Sequence, residues 1–358
     1  MGESTNQEAR SPLLPDRYPQ QDFFVCDIFD AAPKGDMASM EHPLFSISTK
    51  PDMAAREYRH GSTFVRVSPG ELGLATVHDR DVLIYCISQL VAALNEGRPV
   101  NQVVRFKAYD LLVATNRGTD GRGYEQLRAA FKRLQGTQIE TNILTGGNEE
   151  LDIFSLIDRV KIVRESRDGR MQEVEVRLSD WVFNAIQAKE VLTLNRQYFR
   201  LRKPLERRLY EIARKHCGWP GKAVTFDLAT LQKKCGSKST DFEFRRLIKT
   251  IVDQDRCHAH FPDYAVALDE DRDQVTFRPR VERPALAAGA PEPRVSERGR
   301  ERGRAAAPGY DIYQLEADFL GFWADSGRKP LKNVDAAFVG FCKKRHETKP
   351  IRRQASLF

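Results

Sequence analysis

The sequence matches itself. Val104-Arg105-Phe106 aligns with Val224-Thr225-Phe226. In that register Leu111 meets Leu231, Tyr124 meets Phe244, Leu127 meets Leu247 and Phe131 meets Ile251, with no gap. Apolar positions recurring in step across such a span require one supersecondary unit to be built twice. Upstream, Phe64-Val65-Arg66-Val67-Ser68 resembles Glu175-Val176-Arg177-Leu178-Ser179 at a slightly different offset. Each half reads as strand, helix, helix, short strand, helix, helix and two wing-like strands.

In the first half, Val82, Leu83, Tyr85, Cys86, Leu90 and Leu94 fall at helical spacing. Val103 to Phe106 reads as a short strand, and Tyr109 to Ala114 as a short helix stopped at Asn116-Arg117-Gly118. Tyr124, Leu127, Ala130, Phe131 and Leu134 mark a second helix. Ile139 to Ile143 then predicts a hairpin turning at Gly146-Gly147, with a return strand from about Leu151 to Arg164. In the second half, Pro204 opens a helix, Val224 to Phe226 is the strand, and Leu228 to Cys235 the short helix. Thr240 or Asp241 caps the next helix. Ala259 to Leu268 and Gln274 to Arg278 form the second wing.

Helix-turn-helix followed by a β-hairpin is a winged helix. The expected fold is therefore α+β: tandem winged helices over residues 62–172 and 173–280, behind a disordered segment (1–20) and an N-terminal arm (21–61). The arm's apolar anchors are Phe23, Phe24, Ile28, Leu44 and Phe45, a candidate dimer interface. Residues 281–309 hold Ala, Pro, Gly, Glu and Arg with almost no large apolar side chain, which predicts a disordered linker. A small helical module follows over 310–346, carrying Ile312, Leu315, Phe319, Phe322, Trp323, Val334, Phe338 and Phe341, and then a tail over 347–358.

Lysine and arginine total 57 against 50 acidic residues, a formal net charge of +7, which favours a polyanionic partner. Six scattered cysteines form no C-x-x-C pair and fit a reducing compartment. The N-terminus has no apolar signal region, and no stretch approaches the ~20 apolar residues needed to span a bilayer, so a cytoplasmic protein is expected.

The helix faces turned away from the apolar stripes give the repeat a function. In the first half these carry Arg122, Gln126, Arg128, Lys132 and Arg133. In the second they carry Arg245, Arg246 and Lys249, preceded by Lys233, Lys234 and Lys238. In a major groove, Arg pairs bidentately with guanine and Gln with adenine, while lysines in the turn suit phosphates. Double-stranded DNA is the expected partner. Two readings of the Arg207, Arg208, Arg214 and Lys215 cluster are open. These cations contact phosphates or fix the angle between the halves, or else Glu206 and Glu211 neutralise several of them as surface pairs.

Other motifs are set aside. Gly236-Ser237-Lys238-Ser239 lacks the leading glycine of a phosphate-binding loop. His258, His260 and Tyr264 fall within one predicted wing, which does not give a nickase its separate ligand set and nucleophile. Asp269-Glu270-Asp271 reads as a solvated turn. No catalytic, cofactor or metal-binding residue is assigned, and a non-enzymatic protein is expected.

Longer blocks carry a resemblance. They are Asp22 to Ile28, Met40 to Ser46, Leu72 to Thr76, Asp81 to Tyr85, Arg133 to Thr137, Leu178 to Trp181, and Tyr198 to Tyr210 continuing through Ala213 to Gly218. Over roughly residues 20–280 the chain resembles the plasmid replication initiator A family. The resemblance implies binding to directly repeated DNA (iterons) at a plasmid origin, melting of adjacent A+T-rich DNA, and recruitment of a host initiator and replicative helicase. It also implies a monomer–dimer equilibrium with autorepression, in the bacterial cytoplasm on the plasmid. The alternatives are a winged-helix transcriptional repressor, a rolling-circle nickase or an interaction hub. The terminal Gln354-Ala355-Ser356-Leu357-Phe358 resembles the Gln-x-x-Leu-Phe tails that hold the DNA polymerase sliding clamp, with Gln354 at a groove rim and Leu357 and Phe358 as apolar anchors.

Overall fold

The two aligned stretches take the same course in the computed structural model. It describes residues 11–18, 33–60, 63–95, 97–143, 152–165, 171–217, 223–280, 293–308, 310, 312–325, 331 and 333–348. An N-terminal part holds β1 (Lys34–Asp36), α1 (Met37–Glu41), β2 (Arg56–His60) and β3 (Thr63–Ser68). The first half continues with α2 (Arg80–Asn95), β4 (Val103–Lys107), α3 (Ala108–Ala114), α4 (Gly121–Gly136), β5 (Gln138–Thr141), β6 (Asp152–Ser155), β7 (Ile157–Glu165) and β8 (Met171–Leu178). After α5 (Asp180–Gln187), β9 (Val191–Thr193) and a 3₁₀ turn (Arg196–Arg200), the second half runs α6 (Pro204–His216), β10 (Val224–Asp227), α7 (Leu228–Cys235), α8 (Asp241–His258), β11 (Tyr264–Asp269) and β12 (Gln274–Pro279). The C-terminal part is α9 (Glu297–Ala306), α10 (Ile312–Asp325) and α11 (Val334–Thr348).

In both halves the strand ahead of the helix pair lies on the return strand of a hairpin. In β4–β8–β7, Val104 faces Val176 and Phe106 faces Val174; in β10–β12–β11, Val224 faces Phe277 and Phe226 faces Val275. The aligned helix residues turn inward together. Leu111, Leu127, Leu231 and Phe244 are fully buried, Phe131 and Ile251 nearly so, and Leu247 is half-buried.

Several expectations are corrected. The first-half hairpin is β7–β8, so this half extends through Leu178 and crosses the boundary drawn at 172/173. Strand β5 does pair with β6 (Gln138 with Ser155), but Leu156 ends that ladder and β7 starts in a different sheet. Strand β8 is thus no counterpart of β3, which sits between β2 and β5. The Gly146-Gly147 turn itself lies outside the described residues.

The segment expected to be disordered at the N-terminus is docked over residues 11–18. Leu13 bridges Leu201, the Leu14 N–H donates to the Arg200 carbonyl (2.8 Å), and Arg200 Nε donates back to the Leu14 carbonyl (2.8 Å). Farther along, the Arg17 N–H donates to Asn116 Oδ1 (2.9 Å), Asn116 Nδ2 to the Pro15 carbonyl (3.1 Å), and the Tyr18 hydroxyl to the Arg117 carbonyl (2.8 Å). Two leucines, four backbone groups with partners and the Tyr18 hydroxyl offset the ordering entropy that the polar composition suggested could not be met.

Within the arm, Leu44 and Phe45 are buried in their own chain, so they are not dimer anchors. Phe23, Phe24 and Ile28 lie outside the described residues.

The last correction is the linker. The chain divides into two compact units, Met1–Leu90 with Asn101–Arg280, and Val91–Val100 with Val281–Phe358. In the second unit, residues expected to be linker form α9. Ser296 caps it, accepting from the Gly299 N–H (3.1 Å) and donating to Asp335 (2.5 Å). Gly299 and Gly303 are buried, and a Cβ at Gly303 would lie 2.8 Å from Ile312 and from Phe338. Alpha-9 packs through bare backbone, so it needs no large apolar residue. The core it joins holds Ile312, Leu315, Phe319, Leu320, Phe338 and Cys342. Residues 281–292 and the tail with Gln354, Leu357 and Phe358 lie outside the described residues.

Candidate nucleic-acid interface

Helix α4 is held rigidly from three sides. Asp120 caps it, its carboxylate accepting from the Gly123 N–H (3.0 Å), and Tyr124, Leu127, Ala130, Phe131 and Leu134 bury one face. A Cβ at Gly123 would run into the Gly118 carbonyl, so the turn before the helix requires glycine there. Ahead of that turn Asn116 adopts φ 56°, a left-handed conformation that asparagine tolerates, and the N-terminal strap fastens it. The opposite face presents Arg122, Gln126, Arg128 and Lys132, all exposed, beside Glu125. Among the described residues no carboxylate stands within ion-pair distance of Arg122 or Lys132.

Arg133 does not join them. It forks onto Asp79, Nε and a terminal nitrogen each donating at 2.7 Å, and Asp79 also accepts from the Thr76 N–H (2.8 Å). Its position, three residues after buried Ala130, is the edge of the apolar stripe, from which it reaches inward.

The second cluster differs in kind. Lys234 is half-buried and paired with Glu41, which His216 also engages at 2.8 Å. Burial opposes the Glu41 charge, but those hydrogen bonds outweigh it and hold the carboxyl well below its usual range. Lys238 pairs with Asp52 (2.8 Å), and Lys233 is exposed. On α8, Arg245 meets Asp273, Arg246 meets Glu243 (2.7 Å) and Lys249 meets Glu270. Exposed pairs of this kind are worth ~0–1 kcal/mol each, so a phosphate can displace them, yet every cation of this cluster but Lys233 starts partly neutralised.

Sequence reasoning missed a buried network. Arg207 and Arg208 are not surface cations: their side chains are 3% and 2% exposed. Arg207 pairs with Asp81 (2.7 Å) and donates to the carbonyls of Phe199 and Leu201 (3.0 Å each). Arg208 donates to the Ser39, Met40 and Lys234 carbonyls and pairs with Glu211 (3.1 Å). Glu206 is fully buried against His260 (3.3 Å). Both open readings hold in part: Glu211 neutralises Arg208, as a buried pair and not a surface one, while Arg207 on α6 joins Asp81 on α2 across the halves. The available signal was Arg80-Asp81 at the start of an otherwise apolar helix.

The set-aside motifs have structural roles. Gly236 ends α7 at φ 65°. His260 and Tyr264 are buried in the second-half core while His258 is exposed, and among the described residues no group of three His, Cys, Asp or Glu is placed to hold a metal ion. No helix among the described residues is long and apolar enough to cross a membrane.

The model of the family "Replication initiator protein A" matches residues 34–266, which span both halves and the buried arginine network. The chain belongs to the replication initiator protein A family. A protein of Wigglesworthia glossinidia brevipalpis described as a replication protein is 34% identical over 280 residues, covering 77% of this chain and 99% of that protein. Two crystal structures of domains 2 and 3 of RctB are similar to this initiator at 15% and 13% identity, each with a TM-score of 0.46 and covering 66% of this chain and 95% of the other.

Proposed function

We propose that this initiator consists of tandem winged helices that bind directly repeated DNA at a plasmid origin, with α4 as the principal recognition helix in the major groove. One observation carries the reading: Arg122, Gln126, Arg128 and Lys132 share the exposed face of a helix whose other face is core and whose entry is fixed by Asp120, Gly123 and Asn116. Helix α8 serves the adjoining groove segment, trading its ion pairs for phosphates. The buried arginines hold the halves at a set spacing, which binding to a repeat of set length requires. With about 6–10 phosphate contacts, raising salt from about 50 to 200 mM costs on the order of 10³–10⁵ in affinity.

Host factors enter through the C-terminal end. Gln354, Leu357 and Phe358 form a sliding-clamp motif on sequence grounds, and tethering raises the local clamp concentration at the origin. Changing Leu357 and Phe358 to Ala is expected to abolish clamp binding and spare origin binding.

The deciding experiment is a footprint on DNA flanking the protein's own gene, near ~200 mM salt with excess competitor DNA. Evenly spaced protection of direct repeats supports the reading. Protection of a single inverted repeat at the promoter replaces it with a repressor, and absence of selective protection removes sequence recognition altogether.

A further inference from the structure

The basic charge of this chain is not spread evenly. Residues 281–358 hold 15 Lys and Arg against 10 Asp and Glu, a net of +5 out of the chain's +7; the remaining 280 residues hold 42 against 40, a net of +2. Within the C-terminal unit, much of the charge on α9 is already used. Arg300 pairs with Glu316 (2.7 Å) and Glu297 (2.9 Å), and Arg304 approaches Glu297 (3.6 Å). Arg294, Arg298 and Arg302 are different. All three are exposed, and among the described residues none has a carboxylate within ion-pair distance. Arg298 and Arg302 lie one turn apart on α9, about 6 Å along the axis, with Arg294 just ahead of the Ser296 cap.

The helix is built to display them. Gly299 and Gly303 set its backbone against α11, Ser296 and Asp335 lock its start, and neither glycine tolerates a side chain. The exposed residues on α9 beside the arginines are Glu297, Glu301 and Ala305, none of them aromatic or large and apolar, and the exposed Tyr313 of the next helix is already engaged by Arg300 (5.6 Å). A membrane surface would call for an apolar face, and a protein partner or a single strand for aromatic anchors. Guanidinium groups in a row with no ion pair, Arg302 acting on the Asp335 carboxylate only from beyond pairing distance, suit evenly spaced phosphates.

We infer that Arg294, Arg298 and Arg302 form a second DNA contact, a sequence-independent grip on the phosphate backbone of duplex DNA, separate from the helices proposed to read the repeats. The inference rests on the proposed function only in taking duplex DNA as the partner. Its role is to hold flanking duplex while α4 and α8 engage the repeats.

The test uses the full chain and a duplex of random sequence, so that repeat recognition plays no part. Binding is followed by fluorescence anisotropy across a salt titration for the parent, for Arg294→Gln/Arg298→Gln/Arg302→Gln, and for the corresponding triple Lys variant. Circular dichroism checks that the helices persist. The Gln variant is expected to lose about 2–3 in the slope of log K against log salt, ~0.9 for each phosphate contact removed. The Lys variant, which keeps the charge, is expected to retain the parental slope. An unchanged slope in the Gln variant overturns the inference. So does an equal loss in the Lys variant, or a loss confined to single-stranded oligonucleotides. An Arg122→Ala/Lys132→Ala variant separates the two readings: it is expected to lose the footprint on repeats while responding to the α9 changes as the parent does.

Discussion

Arg80 and Glu211 stand 2.6 Å apart with both side chains fully withdrawn from solvent. They join the first turn of α2 to the middle of α6 and so bind one repeat to the other. Asp36 lies 3.6 Å from the same guanidinium and the Tyr198 hydroxyl donates to Glu211 at 2.6 Å, so the pair sits within a wider network. Desolvating two charges costs nearly what their attraction returns, and the site is expected to matter less through the pair itself than through what a single deletion exposes. Glu211→Gln leaves Arg80 and Arg208 short of a charge. It is expected to cost roughly 3–5 kcal/mol, read as a lower denaturant midpoint. Arg80→Met with Glu211→Leu is expected to cost less than the two single changes added together. A strictly additive double mutant would show that the residues act separately.

The strap makes a second relationship testable. Asn116 combines a left-handed backbone with two hydrogen bonds to residues 15 and 17. Asn116→Ala removes both bonds and places a less tolerant residue at φ 56°, so a loss of about 1–3 kcal/mol is expected. Amide exchange should accelerate first in residues 11–18 and in the turn before α4. Repeat binding should weaken with it, because that turn aims the helix.

The two recognition helices are not equivalent. Single Ala substitutions at Gln126 or Arg128, if these reach base edges, are expected to cost about 1–3 kcal/mol and relax specificity at one position of the repeat. Substitutions at Arg245, Arg246 or Lys249 first remove a pairing with Asp273, Glu243 or Glu270. They are expected to cost less and to act evenly across sequences. Competition binding with single-base repeat variants distinguishes the two patterns.

What was legible and what was not divides along physical lines. The repeat could be read because Leu111 and Leu231, or Tyr124 and Phe244, are core positions whose spacing follows from helix geometry. The role of Arg207 and Arg208 stays open in the sequence because composition cannot say which way a charged side chain turns; burial follows from Asp81 and from Glu211, the first more than a hundred residues distant. Alpha-9 was missed for the opposite reason. A Gly- and Arg-rich stretch reads as unable to form a core, and only Phe338 and Cys342 on a later helix reveal that glycine is what the contact needs. The hairpin was misassigned because Gly146-Gly147 is a strong turn signal, while the pairing of β8 with β4 leaves no local trace.

Acid is expected to destabilise the protein from just below neutrality. Burial pushes His42 down to about 4 from an ordinary 6.5, helped by Lys234, Arg208 and Lys215 and opposed by Glu41. Burial, with Arg207 and Arg117, also drives His78 well below 6.5. The unfolded chain takes up these protons near pH 6.5 and the folded chain resists them, so stability present above that value is lost as pH falls toward 4. At lower pH the carboxylates act in the same direction. Burial opposes the Asp52 charge, but Lys238 and Arg56 hold it down at about 2, against an ordinary 3.8. Denaturant midpoints should therefore fall between pH 7.5 and pH 4.5, and His42→Gln/His78→Gln should flatten that dependence. A midpoint independent of pH in the parent would contradict the burial of both rings.

Two glycines in the C-terminal unit should respond to alanine with opposite signs. Gly340 lies inside α11, exposed, with no atom within 4 Å of an added Cβ. Gly340→Ala there lowers the entropy of the unfolded chain at no steric cost and is expected to stabilise by about 0.5–1 kcal/mol. Gly303 also lies inside a helix and stands to gain the same propensity. Its Cβ, however, would meet the Phe338 ring and the Ile312 side chain at 2.8 Å, with Cys342 Sγ at 3.3 Å. Packed rings yield little, and overpacking costs typically ~1–3 kcal/mol, so the net is expected to be destabilising. Amide exchange in α11 reads both variants: slower in Gly340→Ala and faster in Gly303→Ala. Exchange slowed by both would mean that α9 and α11 do not meet through the Gly303 backbone, and that the arginine-bearing helix is held in place by something else.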